Sequence, residues 1–295
     1  MIHQSVLLSE TVDSLALREG DVVLDATVGG GGASELICRR LGGRGTIIGL
    51  DADADALERA QERLKSQNCL FLPVKKNFRD LDEALSELGI SPTKIIFDLG
   101  LSSNQLEESG RGFSFRKNEP LLMTFDAHPM AGLTLTARDV VNQSSEEELR
   151  EIFWRYGEER FGRRIAAAIV LARKKKPIET SGELAAIVSA SVPRSKTRIH
   201  PATKVFQALR IKVNDELNAL SQGLRKAFET IPQGGRIAVI SFHSLEDRIV
   251  KNFFRDLARE GRGTPIVKKP IAPSPDEVKA NPRARSAKLR VIEKS

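Results

Sequence analysis

The chain is poor in the residues that hold most metals and redox centres: it has two cysteines and four histidines in 295 residues. Cys38 and Cys69 match no metal or redox spacing, which argues against a zinc ribbon, a dithiol active site or a disulfide scaffold. They are expected as free, buried thiols of a reducing cytosol. The histidines are scattered, so no metal is expected. Aromatic residues make up only 5%, with a single tryptophan. No apolar run approaches the roughly 18 residues of a membrane span, so no membrane partner is expected. Met1-Ile-His-Gln-Ser carries neither a basic nor an apolar signal region, and no secretory signal is expected. Ser244 is not framed by G-x-S-x-G, which removes the hydrolase elbow. What remains, 40% hydrophobic and 29% charged, is ordinary for a globular chain of one large domain or two modest ones.

What is present is organised around Asp25-Ala-Thr-Val-Gly-Gly-Gly-Gly32. This stretch closes the apolar run Val22-Val-Leu24 and opens a predicted helix, Ala33 to Leu41. About twenty residues on, the run Thr46 to Leu50 ends in Asp51, which completes the nucleotide-binding pattern of strand, glycine turn, helix, strand and acid. The glycines admit a ligand close to backbone, and Asp51 is placed to accept from both ribose hydroxyls. A nicotinamide cofactor calls for G-x-G-x-x-G, yet Ser34 stands where the third glycine belongs. Asp25 suits an ammonium group and not a pyrophosphate. S-Adenosylmethionine, with a ribose, an ammonium and no phosphate, is the expected cofactor.

Further helices are expected over Ala54–Ser66 and Leu81–Leu88, and strands over Cys69–Val74 and Lys94–Leu99. Phe78 follows the third strand, where its ring can lie on an adenine face. After Gly100 the rhythm breaks. Residues 101 to about 131 read as loop, and only helical patterns follow. Two carry capping boxes, Ser145 to Glu148 and Thr180 to Glu183. One long helix is expected over Thr203–Phe228. Strand patterns return at Arg236–Phe242, Pro265–Lys268 and Lys288–Glu293, the last two separated by a Pro-rich loop to Pro282 and expected as an antiparallel hairpin at the sheet edge. The expected fold is α/β, a class I methyltransferase Rossmann-like seven-stranded sheet with an inserted all-α domain. Residues 1–105 and 210–295 form the sheet domain, and 106–209 the insertion.

Asp98 ends the fourth strand, where a carboxylate can accept the N–H of an exocyclic amine and aim its lone pair. It is the candidate catalytic residue; a turn cap or a contact with the cofactor is the alternative. Substrate-side candidates are Ser102, Ser103, Phe113, Phe115 and His243. The two phenylalanines are flanked by Arg111, Arg116 and Lys117, as stacking on an extruded base requires, although loop phenylalanines also pack inward. His200-Pro-Ala-Thr203 reads as a helix start. The runs Arg173–Lys176 and Arg194–Arg198 offer phosphate contacts or solvated faces. Net charge is +7, and from Arg262 onward nine Lys/Arg face three acids, which suggests a tail turned toward a polyanion.

These motifs resemble a known family. Asp25-x-Thr-x-Gly-x-Gly-Gly32, Asp51-x-Asp53, Asp98-Leu-Gly-Leu-Ser-Ser-x-Gln105 and Arg111-Gly-Phe-Ser-Phe115 are followed by His200-Pro-Ala-Thr-x-x-Phe-Gln-Ala-Leu-Arg210, Ser241-Phe-His-Ser-Leu-Glu-Asp247 and Ala284-Arg-Ser-Ala-Lys-Leu-Arg290. Together they look like the bacterial small-subunit (16S) ribosomal RNA cytosine-N4 methyltransferases, the MraW family. The resemblance implies cytoplasmic N4-methylation of a cytidine in the decoding region, with S-adenosylmethionine as donor. It implies naked RNA or the assembled small subunit as partner, and is compatible with a monomer or a homodimer. It places donor contacts at Gly31, Gly32, Ala33, Asp51, Phe78, Asp98 and Gln105. Two departures stand out. Ala33 replaces a histidine, so only its backbone can serve. Pro120-Leu-Leu-Met-Thr-Phe-Asp126 lacks an acid and a base that the family carries there. These departures keep open a non-catalytic ribosome-assembly factor; a nicotinamide-dependent oxidoreductase is the remoter alternative.

Overall fold

The computed structural model describes residues 6–127, 133–193 and 200–295, and of Ser103 the backbone alone. The chain opens with α1 (Leu8–Ser14) and then alternates: β1 (Val22–Asp25), α2 (Gly32–Arg40), β2 (Thr46–Asp51), α3 (Ala54–Leu64), β3 (Leu70–Lys75), α4 (Leu81–Leu88) and β4 (Lys94–Asp98). Next come α5 (Ser103–Glu107), α6 (Ala137–Gln143), α7 (Glu146–Gly157), α8 (Gly162–Arg173), α9 (Ser181–Ser191) and α10 (Ala202–Asn214). The alternation resumes with α11 (Glu216–Thr230), β5 (Arg236–Ser241), α12 (Ser244–Arg259), β6 (Gly263–Pro265), α13 (Pro275–Ala280) and β7 (Lys288–Lys294).

All seven strands join one sheet in the order β3-β2-β1-β4-β5-β7-β6. Strands β1 to β5 are parallel, and β7 runs antiparallel between β5 and β6. This is the class I methyltransferase form of the doubly wound sheet. The expected terminal hairpin forms, with β6 at the edge and β7 inside it. Chain order reverses between β1 and β4, so the crevice for a ligand opens at their carboxyl ends.

The inner strands read as unbroken apolar runs because both their faces are buried. Leu24, Ile48, Ile95 and Val239 meet the helices α4, α11 and α12 on one face, and Val23, Ile47, Ile96 and Ile240 meet α1 and α2 on the other. Strand β3 carries Pro73 and has only exposed and half-buried positions, as an edge strand tolerates. Gly49 in β2 is required by space, since a Cβ there would come within 2.7 Å of the Phe71 ring.

Four expectations are corrected. The stretch from 101 to about 131, expected as loop, contains α5. The helix expected over Thr203–Phe228 is two helices, because Asp215 takes a left-handed conformation (φ 50°) between α10 and α11. The cysteines are not free thiols: Cys38 of α2 and Cys69, just before β3, form a disulfide with Cα atoms 5.8 Å apart. The stretch expected as loop up to Pro282 contains α13, started by Ser274, whose side chain accepts from the Glu277 N–H, and by Pro275 in its first turn.

The chain forms two compact units, one of the residues up to Ser102 together with Leu217–Ser295, the other Ser103–Glu216. The second unit is helical. Its helices α6, α7 and α9 begin at capping boxes on Thr136, Ser145 and Thr180. Phe153, Ile165, Leu184 and Leu209 are fully buried in it.

Candidate active site

The first unit gathers carboxyl groups at the carboxyl edge of its sheet. Asp25 ends β1 and is 1% exposed. Its Oδ2 accepts from Ser34 Oγ at 2.7 Å and its Oδ1 from the Thr27 N–H at 3.3 Å. The serine that stands in place of a third glycine thus holds the acid. Burial outweighs these bonds and pushes the Asp25 carboxyl up to about 6.

Thr27 also fastens the neighbouring strand, since its Oγ1 accepts from the Asp98 N–H at 2.7 Å. The Asp98 side chain is treated differently. Its Oδ1 is buried and has no hydrogen-bond partner among the described residues. Burial pushes this carboxyl up to about 7, and the carboxylates of Asp25 and Glu246 push in the same direction. Glu246 lies in the first turn of α12, which puts it beyond the end of β5. It accepts from the Phe242 N–H at 2.8 Å and the His243 N–H at 3.3 Å, while His243 Nδ1 accepts from the Glu246 N–H. His243 is therefore the amino-terminal cap of α12. Its Nε2 lies 3.1 Å from Glu246 Oε1, without the alignment of a hydrogen bond.

Asp51 shapes the glycine turn. Its Oδ2 accepts from the Gly29 N–H at 3.0 Å and its Oδ1 from the Asp53 N–H at 2.9 Å. Burial raises this carboxyl too, to about 6. Each of its oxygens keeps accepting capacity for a further donor. Gly31 has φ +77° and lies against α3, where a Cβ would stand 3.1 Å from Ala60 Cα. Gly31, Gly32 and Ala33 form the start of α2, which has no side-chain cap, so its first N–H groups face the crevice end of the sheet. Phe78 follows β3 in a short 3₁₀ turn, half-buried, edge-on to Phe97 at 5.7 Å.

A site with an unpartnered buried carboxylate oxygen among three further acids is built for a cation. An ammonium or sulfonium would lower every one of these pKa values. A pyrophosphate would raise them. The residues present therefore fit S-adenosylmethionine and disfavour a dinucleotide.

The other expected residues lie elsewhere. Ser102 ends the first unit, half-buried, and Gln105 is buried in α5 of the second. The Ser103 side chain and the run Arg194–Arg198 lie outside the described residues. Phe113 is 6% exposed, stacked near Phe125 with the Arg111 guanidinium over its ring. It packs inside the fold, the inward alternative open to loop phenylalanines. Phe115 is half-buried and stacks on His200 at 4.3 Å. His200 Nδ1 in turn accepts from the Ala202 N–H at the start of α10. Arg111 is likewise spent inside the fold, donating to the carbonyls of Thr124 and Phe125.

The basic tail is also partly structural. Lys288 and Arg290 pair with Asp247 at 2.9 and 2.7 Å. Burial opposes ionisation of Asp247, yet these two cations hold its carboxyl below the usual range. Lys294 donates to the carbonyls of Phe228 and Ile231, and Arg262 pairs with Glu229. Of the run Arg173–Lys176, Arg173 donates to the Val141 carbonyl and Lys176 pairs with Glu183. Sequence reasoning missed Thr27, Ser34 and Glu246; the one local signal was the serine at the third glycine position.

Residues 1–295 match the family model described as the MraW methylase family. The chain is 46% identical to the ribosomal RNA small subunit methyltransferase H of Carboxydothermus hydrogenoformans, over 99% of this chain and 97% of that protein. It is 44% identical to the proteins of the same name from Brevibacillus brevis and Trichlorobacter lovleyi, over 99% of this chain and 98% of each of them.

Proposed function

Because the chain belongs to the MraW methylase family along its whole length, we propose that it methylates small-subunit ribosomal RNA in the cytoplasm, at N4 of a cytidine in the decoding region. S-Adenosylmethionine is the cofactor, and the observation that carries the reading is the acid cluster around the unpartnered Asp98 Oδ1. When bound, the donor supplies a methyl group on a sulfonium, an activated leaving group.

The chain's residues supply position and charge. Asp51 accepts from the ribose hydroxyls, Gly32 and Ala33 offer backbone N–H groups, and Gly31, whose own N–H donates to the Val28 carbonyl, leaves room for the ligand beside the turn. Phe78 borders the adenine, and Gln105, on α5, is the further donor contact. Asp98 neutralises the donor's positive charge and accepts an N–H of the cytosine amine, which orients a lone pair otherwise delocalised into the ring. Such positioning accounts for most of the rate gain open to this chemistry. Ser102 and His243 of the first unit, and Ser103, Phe113 and Phe115 of the second, are the acceptor-side residues. The helical unit, Ser103–Glu216, recognises the RNA, naked or in the assembled subunit.

The test is transfer of tritium from labelled S-adenosylmethionine to small ribosomal subunits isolated from cells lacking this enzyme, followed by nucleoside analysis. Label in N4-methylcytidine is expected. Label in another nucleoside would overturn the assigned atom. Donor binding without transfer would favour a non-catalytic assembly factor.

A further inference from the structure

The beginning of α8 breaks a local rule. A helix start carries partial positive charge from its unpaired N–H groups and normally attracts acids. Here the first turn has no acid and contains Arg163 and Arg164, and the capping position, Phe161, offers no side-chain cap. Arg160 precedes them and lies over the Phe161 ring at 4.6 Å. These residues, with Glu146 and Ala167, line an open depression of about 380 Å³.

Other arginines of this region are neutralised: Arg150 pairs with Glu147, and Arg155 with Glu151 at 3.1 Å. Arg160, Arg163 and Arg164 are exposed, and among the described residues none of their side chains has an ion pair or hydrogen bond. Glu146, the one acid on the depression, is outnumbered three to one. Three cations converging with helix N–H groups want several anionic oxygens.

The surroundings point to a nucleic acid over a small anion. Glu146, Arg150 and Trp154 follow at four-residue steps and share a face of α7. Trp154 is the only tryptophan of the chain and is 66% exposed. Toward the other end of α8, Leu171, Lys174 and Lys175 are exposed. From Arg164 to Arg173, its last residue, the helix rises about 14 Å, enough to follow more than one phosphate of a strand. Cations along a backbone track with an exposed indole beside it are the two elements of single-strand binding.

We propose that the α7–α8 corner is a phosphate-backbone clamp for the substrate RNA, with Trp154 as stacking platform for an unpaired base. This rests on the ribosomal RNA reading above. The test uses the full chain, a small-subunit rRNA transcript and two variants. Arg163→Ala/Arg164→Ala is compared with a charge-matched control, Arg44→Ala/Lys65→Ala, which removes two cations from the sheet unit. RNA affinity is measured against salt. The first variant should bind roughly tenfold more weakly, with a salt slope lower by about 1.4 to 1.8, the value for two lost phosphate contacts. The control should keep most of the slope, and donor affinity should not change in either. RNA should quench the fluorescence of the native chain excited beyond the absorption of its single tyrosine, which then reports Trp154 alone. An unchanged slope in the arginine variant, or no quenching, would overturn the clamp while leaving the methylation reading intact. A native chain that binds no RNA would overturn both.

Discussion

Asp98→Asn should make the donor-free protein more stable and less functional at once. Folding raises the Asp98 carboxyl from 3.8 to about 7, so keeping it charged in the folded state costs up to about 4 kcal/mol. Asp25 and Glu246 share the repulsion and would relax with it, so about 2 kcal/mol is the gain attributed to the substitution itself. The sign follows from linkage. A group with a raised folded pKa favours the fold fully below its unfolded value and loses that contribution as pH rises through the folded one. For Asp98 the loss runs from about pH 4 to about pH 7. Asparagine does not ionise, so the variant escapes it. Thermal unfolding without donor should therefore show Tm higher in the variant by about 4 to 8 °C at pH 8, and by less than half of that at pH 5. Calorimetric titration at pH 8 should show donor affinity at least tenfold lower. A variant that melts at or below the native Tm at pH 8, or gains equally at both pH values, would refute the claim that this carboxylate is held at a cost for a cationic ligand.

Asp51→Ala should weaken donor binding at least tenfold, because hydroxyl acceptors and the two bonds that shape the glycine turn vanish together; unchanged affinity by titration would remove Asp51 from the site. Asp247→Ala leaves Lys288 and Arg290 facing each other without their shared anion, and should cost about 2 to 3 kcal/mol in urea denaturation, with a change under about 0.5 kcal/mol counting against the tie between α12 and β7. Cys38 and Cys69 in the oxidised protein should resist alkylation under denaturing conditions until reductant is added. Reduction should lower stability by about 3 to 4 kcal/mol at most, the chain-entropy value for a closure across 31 residues, and two reactive thiols before reduction would contradict the pairing.

Much of the fold was readable because it is written locally. Apolar runs, turn glycines and capping boxes each need fewer than a dozen neighbours to be recognised, and they marked the sheet, its helices and the helical stretch between its halves. Asp215 was unreadable for the opposite reason: the residues on both sides of it favour helix, and only the three-dimensional course of the chain makes its left-handed turn necessary. The Cys38–Cys69 pairing joins residues 31 apart and has no spacing signature. The start of α13 was in fact written, as Ser274-Pro275 followed by Glu277, but lay hidden among prolines.

The site itself was legible only as a list of acids, and the structure sorts that list by what each acid touches. Asp98 ends an apolar strand, and Asp247 lies in the first helical turn after another. Asp247 has two cations of its own chain against it and a lowered pKa, so it is complete and serves the fold. Asp98 is surrounded by other carboxylates, has a buried oxygen without a partner and a raised pKa, so it is incomplete in the protein alone. A chain that keeps such a group gives up stability at neutral pH, and the loss is recovered only when a cation arrives. Asp25 belongs with Asp98 on this criterion, its raised pKa only partly relieved by Ser34 and Thr27. Asp51 stands between the two types, hydrogen-bonded by backbone yet still raised, as befits a residue that both shapes the turn and binds the ligand. The same criterion, applied with the opposite sign, includes Arg160, Arg163 and Arg164, cations without an ion pair among the described residues.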